Sequence, residues 1–276
     1  MDNRTITFTD LSNYLLNLDS SSSKLDELVD RRTKGWLLVD SYTEVLGCIG
    51  FYYLIVLIGP NLMKNRKPFQ LKFLMISYNF LMCLLNLYIF LGIFLTTRKL
   101  NYSYVCQPYR EIFSEEEIFL AKLTWWFYIS KIIEFCDTFF FILRKKDKQL
   151  SFLHIFHHST MFPIWWIGTK WVPTGSSFFP AMENSFVHVI MYLYYALAAF
   201  GKRFEKYLWW KKYLTLLQLI QFVIAALYSI RLLLINCDYP LWISYTQLSY
   251  MIIFLFLFGK FYISSYIKAK KSNKVQ

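Results

Sequence analysis

Long apolar runs, broken by short polar and basic segments, set the pattern of the chain. Seven of them, at about residues 38–60, 72–96, 118–142, 151–169, 180–200, 208–231 and 240–265, are each long enough to cross a hydrocarbon core of about 30 Å as a helix. Residues 1–35 are polar, and no basic start followed by an apolar stretch marks them as a cleaved leader. The pattern predicts an all-α membrane protein of seven transmembrane helices enclosing a polar face. It divides into an N-terminal segment over 1–35, a helical domain over 36–266 and a basic tail over 267–276. Neither heptads nor internal repeats divide the helical part further.

The polar residues inside these runs recur at helical spacings. The first run closes on Gly59-Pro60, a helix stop, before the basic turn Arg66-Lys67-Pro68-Phe69. Asn79 and Asn86 in the second run read as interhelical hydrogen-bond partners. In the third, Lys131, Glu134 and Asp137 cover about 120° of one helix face and are followed by Thr138. In the fourth, His154, His157 and His158 lie within about 100° of one another, so three imidazoles can address one site, and Pro163 one turn on favours a kink. The fifth aligns Asn184, His188, Met191, Tyr192 and Tyr195, and the sixth aligns Thr215, Gln218 and Gln221. Ionisable groups at membrane depth normally face a cavity or one another, which makes these stripes the interior of the bundle.

Composition sharpens the class. Of 276 residues, 56% are hydrophobic and 21% aromatic, outside the ordinary soluble range. A net charge of +12 would suit nucleic acid on a soluble face. Here the basic residues instead gather between runs: Lys64, Arg66, Lys67 and Lys72; then Arg144, Lys145, Lys146 and Lys148. Lys202, Arg203, Lys206, Lys211 and Lys212 form a third cluster, and Lys268, Lys270, Lys271 and Lys274 a fourth. The alternate loops are poorer in positive charge. The positive-inside rule then puts the C-terminus in the cytosol and the N-terminus on the far side. Cys48, Cys83 and Cys136 fall within spans as small buried thiols, whereas Cys106 and Cys237 fall in loops assigned to the oxidising side, where the two can pair. Two sequons, at Asn3 and Asn101, fall on that side as well.

Three readings compete for the histidines. Boxes of the form His-x-x-His-His hold iron in membrane desaturases, but a di-iron centre of that kind needs about eight histidines, and this chain has four. A single metal stays open on this count, and the expectation is that no metal or cofactor is bound. Nucleophilic and acid/base chemistry is the second reading. Four histidines with Lys131, Glu134, Asp137, Asn184, tyrosines and two glutamines supply donors and acceptors for work on a carbonyl. Inside an apolar bundle this suggests a lipid carbonyl substrate, and the basic loops suggest a polyphosphate on its carrier. The third reading is a seven-helix lipid-binding or carrier protein without catalysis, and a structural hydrogen-bond network stays open beside it.

Five ordered motifs, spread over residues 36 to 266, decide among these. They are Gly59-Pro60 through Arg66-Lys67-Pro68-Phe69, Lys131-x-x-Glu134-x-x-Asp137-Thr138 into Leu143-Arg144-Lys145-Lys146, and His154-x-x-His157-His158. Asn184-Ser185-x-x-His188-x-x-Met191-Tyr192-x-Tyr194-Tyr195 and Thr215-x-x-Gln218-x-x-Gln221-Phe222 follow. Together they resemble the ELO-type very-long-chain fatty acid elongases of the endoplasmic reticulum. The resemblance implies condensation of a long acyl-CoA with the co-substrate malonyl-CoA to a 3-ketoacyl-CoA, releasing CO₂ and CoA. It implies that His157 carries the acyl group, with His188 near the reacting centre. His154 and His158 are then orienting groups, and Asp137, Asn184 and Tyr192 supporting ones. Lys131, Arg144, Lys146, Gln149 and Lys211 are candidate CoA contacts, and Glu134, Tyr195, Gln218 and Gln221 complete the substrate-facing set. Cys136 is the rival nucleophile, turned about 100° from Asp137 on a helix.

The same resemblance implies a bilayer setting in the endoplasmic reticulum and the ketoreductase, dehydratase and enoyl reductase of the elongation cycle as partners. No nucleic acid is expected, and a homo-oligomer stays open beside a monomer. Two positions depart from the family pattern. Glu183 puts a charge where a neutral residue is expected, and the dilysine retrieval signal is incomplete, with Lys274 only third from the end. Gln149, five residues before His154, resembles the branch acting on polyunsaturated and very long chains.

Overall fold

The computed structural model describes residues 28–268. The sequon at Asn3, the serine run from Ser20 to Ser23 and the tail lysines Lys270, Lys271 and Lys274 lie outside them. Among the described residues there are helices and turns but no strand. The α-helices are α1 (Tyr42–Met63), α2 (Lys72–Lys99), α3 (Glu115–Ile133), α4 (Phe135–Leu143), α5 (Phe152–Trp171), α6 (Phe178–Ala199), α7 (Lys211–Leu234) and α8 (Leu241–Tyr262).

Among the described residues, four helices are long and apolar enough to cross a membrane: Tyr42–Met63, Lys72–Lys99, Lys211–Leu234 and the eighth counted through to Ile267. The segments read from sequence as spans three, four and five are helical too, but none of them is among those four. The reason is visible in their sequences. α3 and α4 carry Lys131, Glu134 and Asp137, α5 carries three histidines and Lys170, and α6 carries Glu183, Asn184 and His188.

Two boundaries differ from expectation. Pro60 does not end α1, which continues to Met63. A proline that near the end of a helix removes a single hydrogen bond, which the last turn tolerates. The third run is not one helix but two, with the break at Glu134. Just before it the Ser130 hydroxyl donates to the Phe127 carbonyl at 2.6 Å, a local competitor of the kind that bends helices. Pro163 lies inside α5, where its ring removes the N–H that would meet the Ser159 carbonyl. Helix starts follow capping rules: Ser114 accepts from the Glu117 N–H, with three glutamates in the first turn of α3, and Ser151 accepts from the His154 N–H.

α2 packs along α6, α3 against α2 and α5, α1 against α4, and α7 pairs with α8 and meets α6. Close approach of α1 to α4 needs Gly59, because a Cβ there would lie 2.9 Å from Ile142 Cγ2. Asn79 and Asn86 do not reach other helices. Each donates its amide to a carbonyl four residues back in α2, Met75 at 2.7 Å and Met82 at 2.9 Å, the nearest acceptors for a short side chain on a helix.

One end of the bundle carries the box, the other a disulfide. At the disulfide end Cys106 joins Cys237 with Cα atoms 5.7 Å apart, and the Tyr109 N–H donates to the Asp238 carbonyl at 3.0 Å. Part of the polar N-terminal segment is buried here: Asp30, Arg32 and Thr33 are each at most 6% exposed. Arg32 pairs with Asp30 and Glu117 and donates to Thr174 at 2.9 Å. Tyr109 donates to Asp30 at 2.8 Å and Tyr102 to Glu117 at 2.6 Å. Burial opposes the Arg32 charge, but Asp30 outweighs it and holds the guanidinium above its ordinary value. Burial and the adjacent Asp30 push the Tyr109 hydroxyl up. This network ties Asp30 and Arg32 to the α2–α3 loop, the α5–α6 loop and the first turn of α3.

Candidate active site

The break between α3 and α4 builds the polar centre, since it turns three side chains from two short helices toward α6. Lys131 Nζ donates to Glu134 Oε1 at 2.9 Å and to Asn184 Oδ1 of α6 at 3.1 Å, and it lies 4.2 Å over the Phe127 ring. Both charged side chains are 1% exposed. A buried pair survives where additional partners satisfy what the ions leave open, and Asn184 does that here. His188 Nδ1 lies 3.2 Å from the same Glu134 oxygen, close enough for attraction but off the line of a ring N–H hydrogen bond. Asp137, three residues on, accepts from the Tyr192 hydroxyl at 2.8 Å, so α6 closes on α4 as well.

The three imidazoles of α5 diverge rather than converge on one point. His154 Nε2 lies 2.8 Å from Thr138 Oγ1, and Tyr52 of α1 reaches the same hydroxyl at 3.1 Å. Which atom donates between His154 and Thr138 depends on the imidazole tautomer. His158 is buried, its ring 4.3 Å from that of His154 and 5.1 Å from that of His157, and its Nδ1 has no partner among the described residues. His157 faces outward from this stack, its ring 5.4 Å from Phe254 of α8. No group of three or more His, Cys, Asp or Glu side chains among the described residues is arranged to hold a metal ion.

His157 opens onto a cavity of about 260 Å³ between α5, α6, α7 and α8. Its walls are largely apolar, with Met161, Trp165, Phe222 and Met251 among them. Towards the disulfide end Tyr239 and Trp242 line it, and the Tyr239 hydroxyl lies 2.6 Å from Ser177 Oγ. Asn184 and Gln221 line it as well, which brings two of the expected residues to the same space as His157.

The other expected residues spread out. Gln218 stays on α7 facing Met191, its amide 3.7 Å from the sulfur. Tyr195 is 40% exposed with its ring 6.1 Å from Tyr192, outside the buried cluster. Arg144 follows α4, Lys146 and Gln149 lie exposed in the link to α5, and Lys211 is exposed at the start of α7. All four stand at the histidine end, not in the cluster. Cys136, the rival nucleophile, lines neither the cavity nor the disulfide. Thr138 and Tyr52 were not assigned from sequence as site residues. Thr138 was signalled by following Asp137 in the same motif, whereas nothing in an apolar run distinguishes Tyr52 from other tyrosines.

Residues 37–274 match the family described as ELO: GNS1/SUR4. The chain is 48% identical to the very long chain fatty acid elongase 4 of Homo sapiens over 88% of its length and 78% of that protein. It is 43% identical to the very long chain fatty acid elongase 5 of Rattus norvegicus, over 89% of this chain and 81% of the other. A very long chain fatty acid elongase of Aedes aegypti is 42% identical over 92% of this chain and 72% of the other. With a family match across nearly the whole helical part and relatives aligned over most of both lengths, the chain belongs to the ELO family.

Proposed function

We propose that this protein is the condensing enzyme of fatty acid elongation, joining a long acyl-CoA to malonyl-CoA to give a 3-ketoacyl-CoA two carbons longer. Relatives named as very long chain fatty acid elongases support the reaction, and one observation carries the mechanism: a histidine stands at the end of an apolar cavity, beside a buried Lys131–Glu134–His188 cluster. An apolar cavity suits an acyl chain, and an imidazole at its end is placed for the chain's carbonyl.

In this reading an imidazole nitrogen of His157 attacks the thioester carbonyl, the C–S bond breaks, and the CoA thiolate leaves and takes a proton. Malonyl-CoA then loses CO₂, the electron pair of that bond becomes an enolate, and the enolate attacks the acyl-imidazole carbonyl. The C–N bond breaks and the imidazole returns. Lys131, Asn184 and His188 flank the developing negative charge, and pre-placed donors of this kind typically account for a large part of the rate. His154, held by Thr138, and His158 keep the box in place, and Asp137 with Tyr192 braces α4 on α6. Arg144, Lys146, Gln149 and Lys211 are offered to the CoA phosphates at the mouth.

The reading includes residues 36–266 as one catalytic bundle crossing the endoplasmic reticulum membrane seven times, N-terminus in the lumen and basic tail in the cytosol. The reductive and dehydrating enzymes that process a 3-ketoacyl-CoA are the expected neighbours.

The test uses purified full-length protein in detergent. With acyl-CoA alone, the intact mass should rise by one acyl group, on the peptide containing His157, and folded His157→Ala should show no gain. With labelled malonyl-CoA added, label should enter a longer acyl chain. An adduct that persists in folded His157→Ala overturns the nucleophile assignment. Absence of any lengthened product from folded wild-type protein favours the carrier reading.

A further inference from the structure

Several polar groups on the residues lining the cavity are already engaged. Asn184 holds Lys131, Ser177 meets Tyr239, Thr246 donates to the Trp242 carbonyl at 2.8 Å, and Tyr250 meets the Thr160 hydroxyl. Three are not. Glu183 Oε2 on α6, and Gln247 Nε2 and Trp242 Nε1 on α8, are buried and have no hydrogen-bond partner among the described residues, and all three residues line the cavity. They belong to Glu183 on the α6 wall and to Gln247 and Trp242 on the α8 wall. A buried polar atom left unmet is costly, so a set of them on one cavity points to what the cavity is made to receive.

Their depth can be placed along the helices. Gln247 lies seven residues from Phe254, the ring that packs on His157, or about 10 Å toward the disulfide end by helix rise. Glu183 lies five residues from His188 in the same direction, about 7.5 Å. Ser177 and Tyr239 meet at the disulfide end, and Glu183 lies six residues beyond the one and Gln247 eight beyond the other, so the two stand at comparable depth on facing walls. Trp242 lies deeper, twelve residues from Phe254 or about 18 Å.

We propose that Glu183 and Gln247 form a subsite that selects an acyl chain carrying a mid-chain hydroxyl over the unsubstituted chain. This rests on the reading above, in which the cavity holds an acyl chain reaching from His157. A hydroxyl is the smallest group that serves both walls. It donates to the Glu183 carboxyl, which accepts in either protonation state, and its oxygen accepts from the Gln247 amide. An all-methylene chain at that depth serves neither.

Wild-type protein, Glu183→Leu, Glu183→Gln and Gln247→Leu are each given an equimolar mixture of a long-chain acyl-CoA with a mid-chain hydroxyl and its unsubstituted counterpart of equal length. Labelled malonyl-CoA is supplied, products are resolved by mass, and folding is followed by thermal transition. The wild type should favour the hydroxylated chain by about tenfold, the discrimination of one buried hydrogen bond. The ratio should fall to near one in Glu183→Leu and Gln247→Leu and stay closer to wild type in Glu183→Gln, which keeps the shape and an acceptor. If wild type elongates both chains equally, or prefers the plain one, the subsite is overturned while the elongase reading stands. If the ratio is unmoved in the folded leucine variants, Glu183 and Gln247 do not select the chain, and the proposal fails. If folded wild type elongates neither chain, the elongase reading itself falls and takes the subsite with it.

Discussion

Glu134 Oε1 stands 3.2 Å from His188 Nδ1, across the contact between the broken third span and α6, while the same oxygen accepts from Lys131 at 2.9 Å. One carboxylate thus links a cation to a histidine where neither is solvated. Glu134→Gln should leave Lys131 buried without a counter-charge and destabilise the protein by about 3–5 kcal/mol. The double variant Lys131→Met/Glu134→Gln should recover most of that in thermal unfolding and none of the elongation rate. A double variant that elongates normally would remove the pair from the chemistry.

Thr138 is the hydrogen-bond partner of the His154 ring among the described residues, at 2.8 Å. Thr138→Val keeps the volume and should lower the elongation rate by about tenfold, while Thr138→Ser should stay within about twofold. Steady-state rates on one acyl-CoA separate the two. Equal rates in both variants would show that the orientation of His154 does not matter.

Tyr192→Phe removes the donor that meets Asp137 at 2.8 Å and leaves a buried carboxyl oxygen short of a partner. A loss of about 1–3 kcal/mol is expected from thermal or denaturant unfolding in detergent. An unchanged transition would mean that the neighbouring tyrosine, Tyr78, or water takes the place of Tyr192.

The Cys106–Cys237 bond closes a loop across 131 residues at the end where Tyr239 bounds the cavity. Replacing both cysteines by serine should cost about 2–5 kcal/mol. Wild-type protein should also change mobility on a denaturing gel when reduced, and the serine pair should not. Identical mobility with and without reductant would rule the bond out in the expressed protein.

Acid should loosen the same end. Burial raises the Glu111 carboxyl, but hydrogen bonds from the Arg31 side chain and backbone outweigh it and hold the group below its ordinary 4.5. A lowered carboxyl contributes stability that is present above its ordinary value and lost as pH falls through its folded one. Transition temperatures taken between about pH 3 and pH 6 should fall at the acid end, and Arg31→Ala should flatten that fall. A profile identical in both proteins would assign the acid sensitivity elsewhere.

Much of the site was legible because helical periodicity is a strong signal at membrane depth. Lys131, Glu134 and Asp137 had to face inward, and α6 was the natural partner, since Asn184, His188 and Tyr192 share a face. What periodicity could not reveal was the break at Glu134, one turn after the Ser130 hydroxyl turns to the Phe127 carbonyl. Nor could it reveal that His154, His157 and His158 take three different surroundings. One arc of a helix touches several neighbours at once, here α4, α8 and the buried stack between them. Asn79 and Asn86 were misread for a related reason, because a short amide reaches its own helix before it reaches the next.

The sequence by itself determined the class of the molecule, the stretches that become helices, the residues with chemistry to offer and the family they resemble. Each depends on composition and spacing along one chain, and neither changes on folding. The tertiary structure alone decided which of those residues meet. It put Glu134 between Lys131 and His188, set Thr138 on His154, joined Cys106 to Cys237, buried Asp30 and Arg32 at the far end, and left His157 as the imidazole that opens on the cavity. Those contacts join residues as many as 142 positions apart, and such pairings are fixed by how helices pack and where they break rather than by any local pattern.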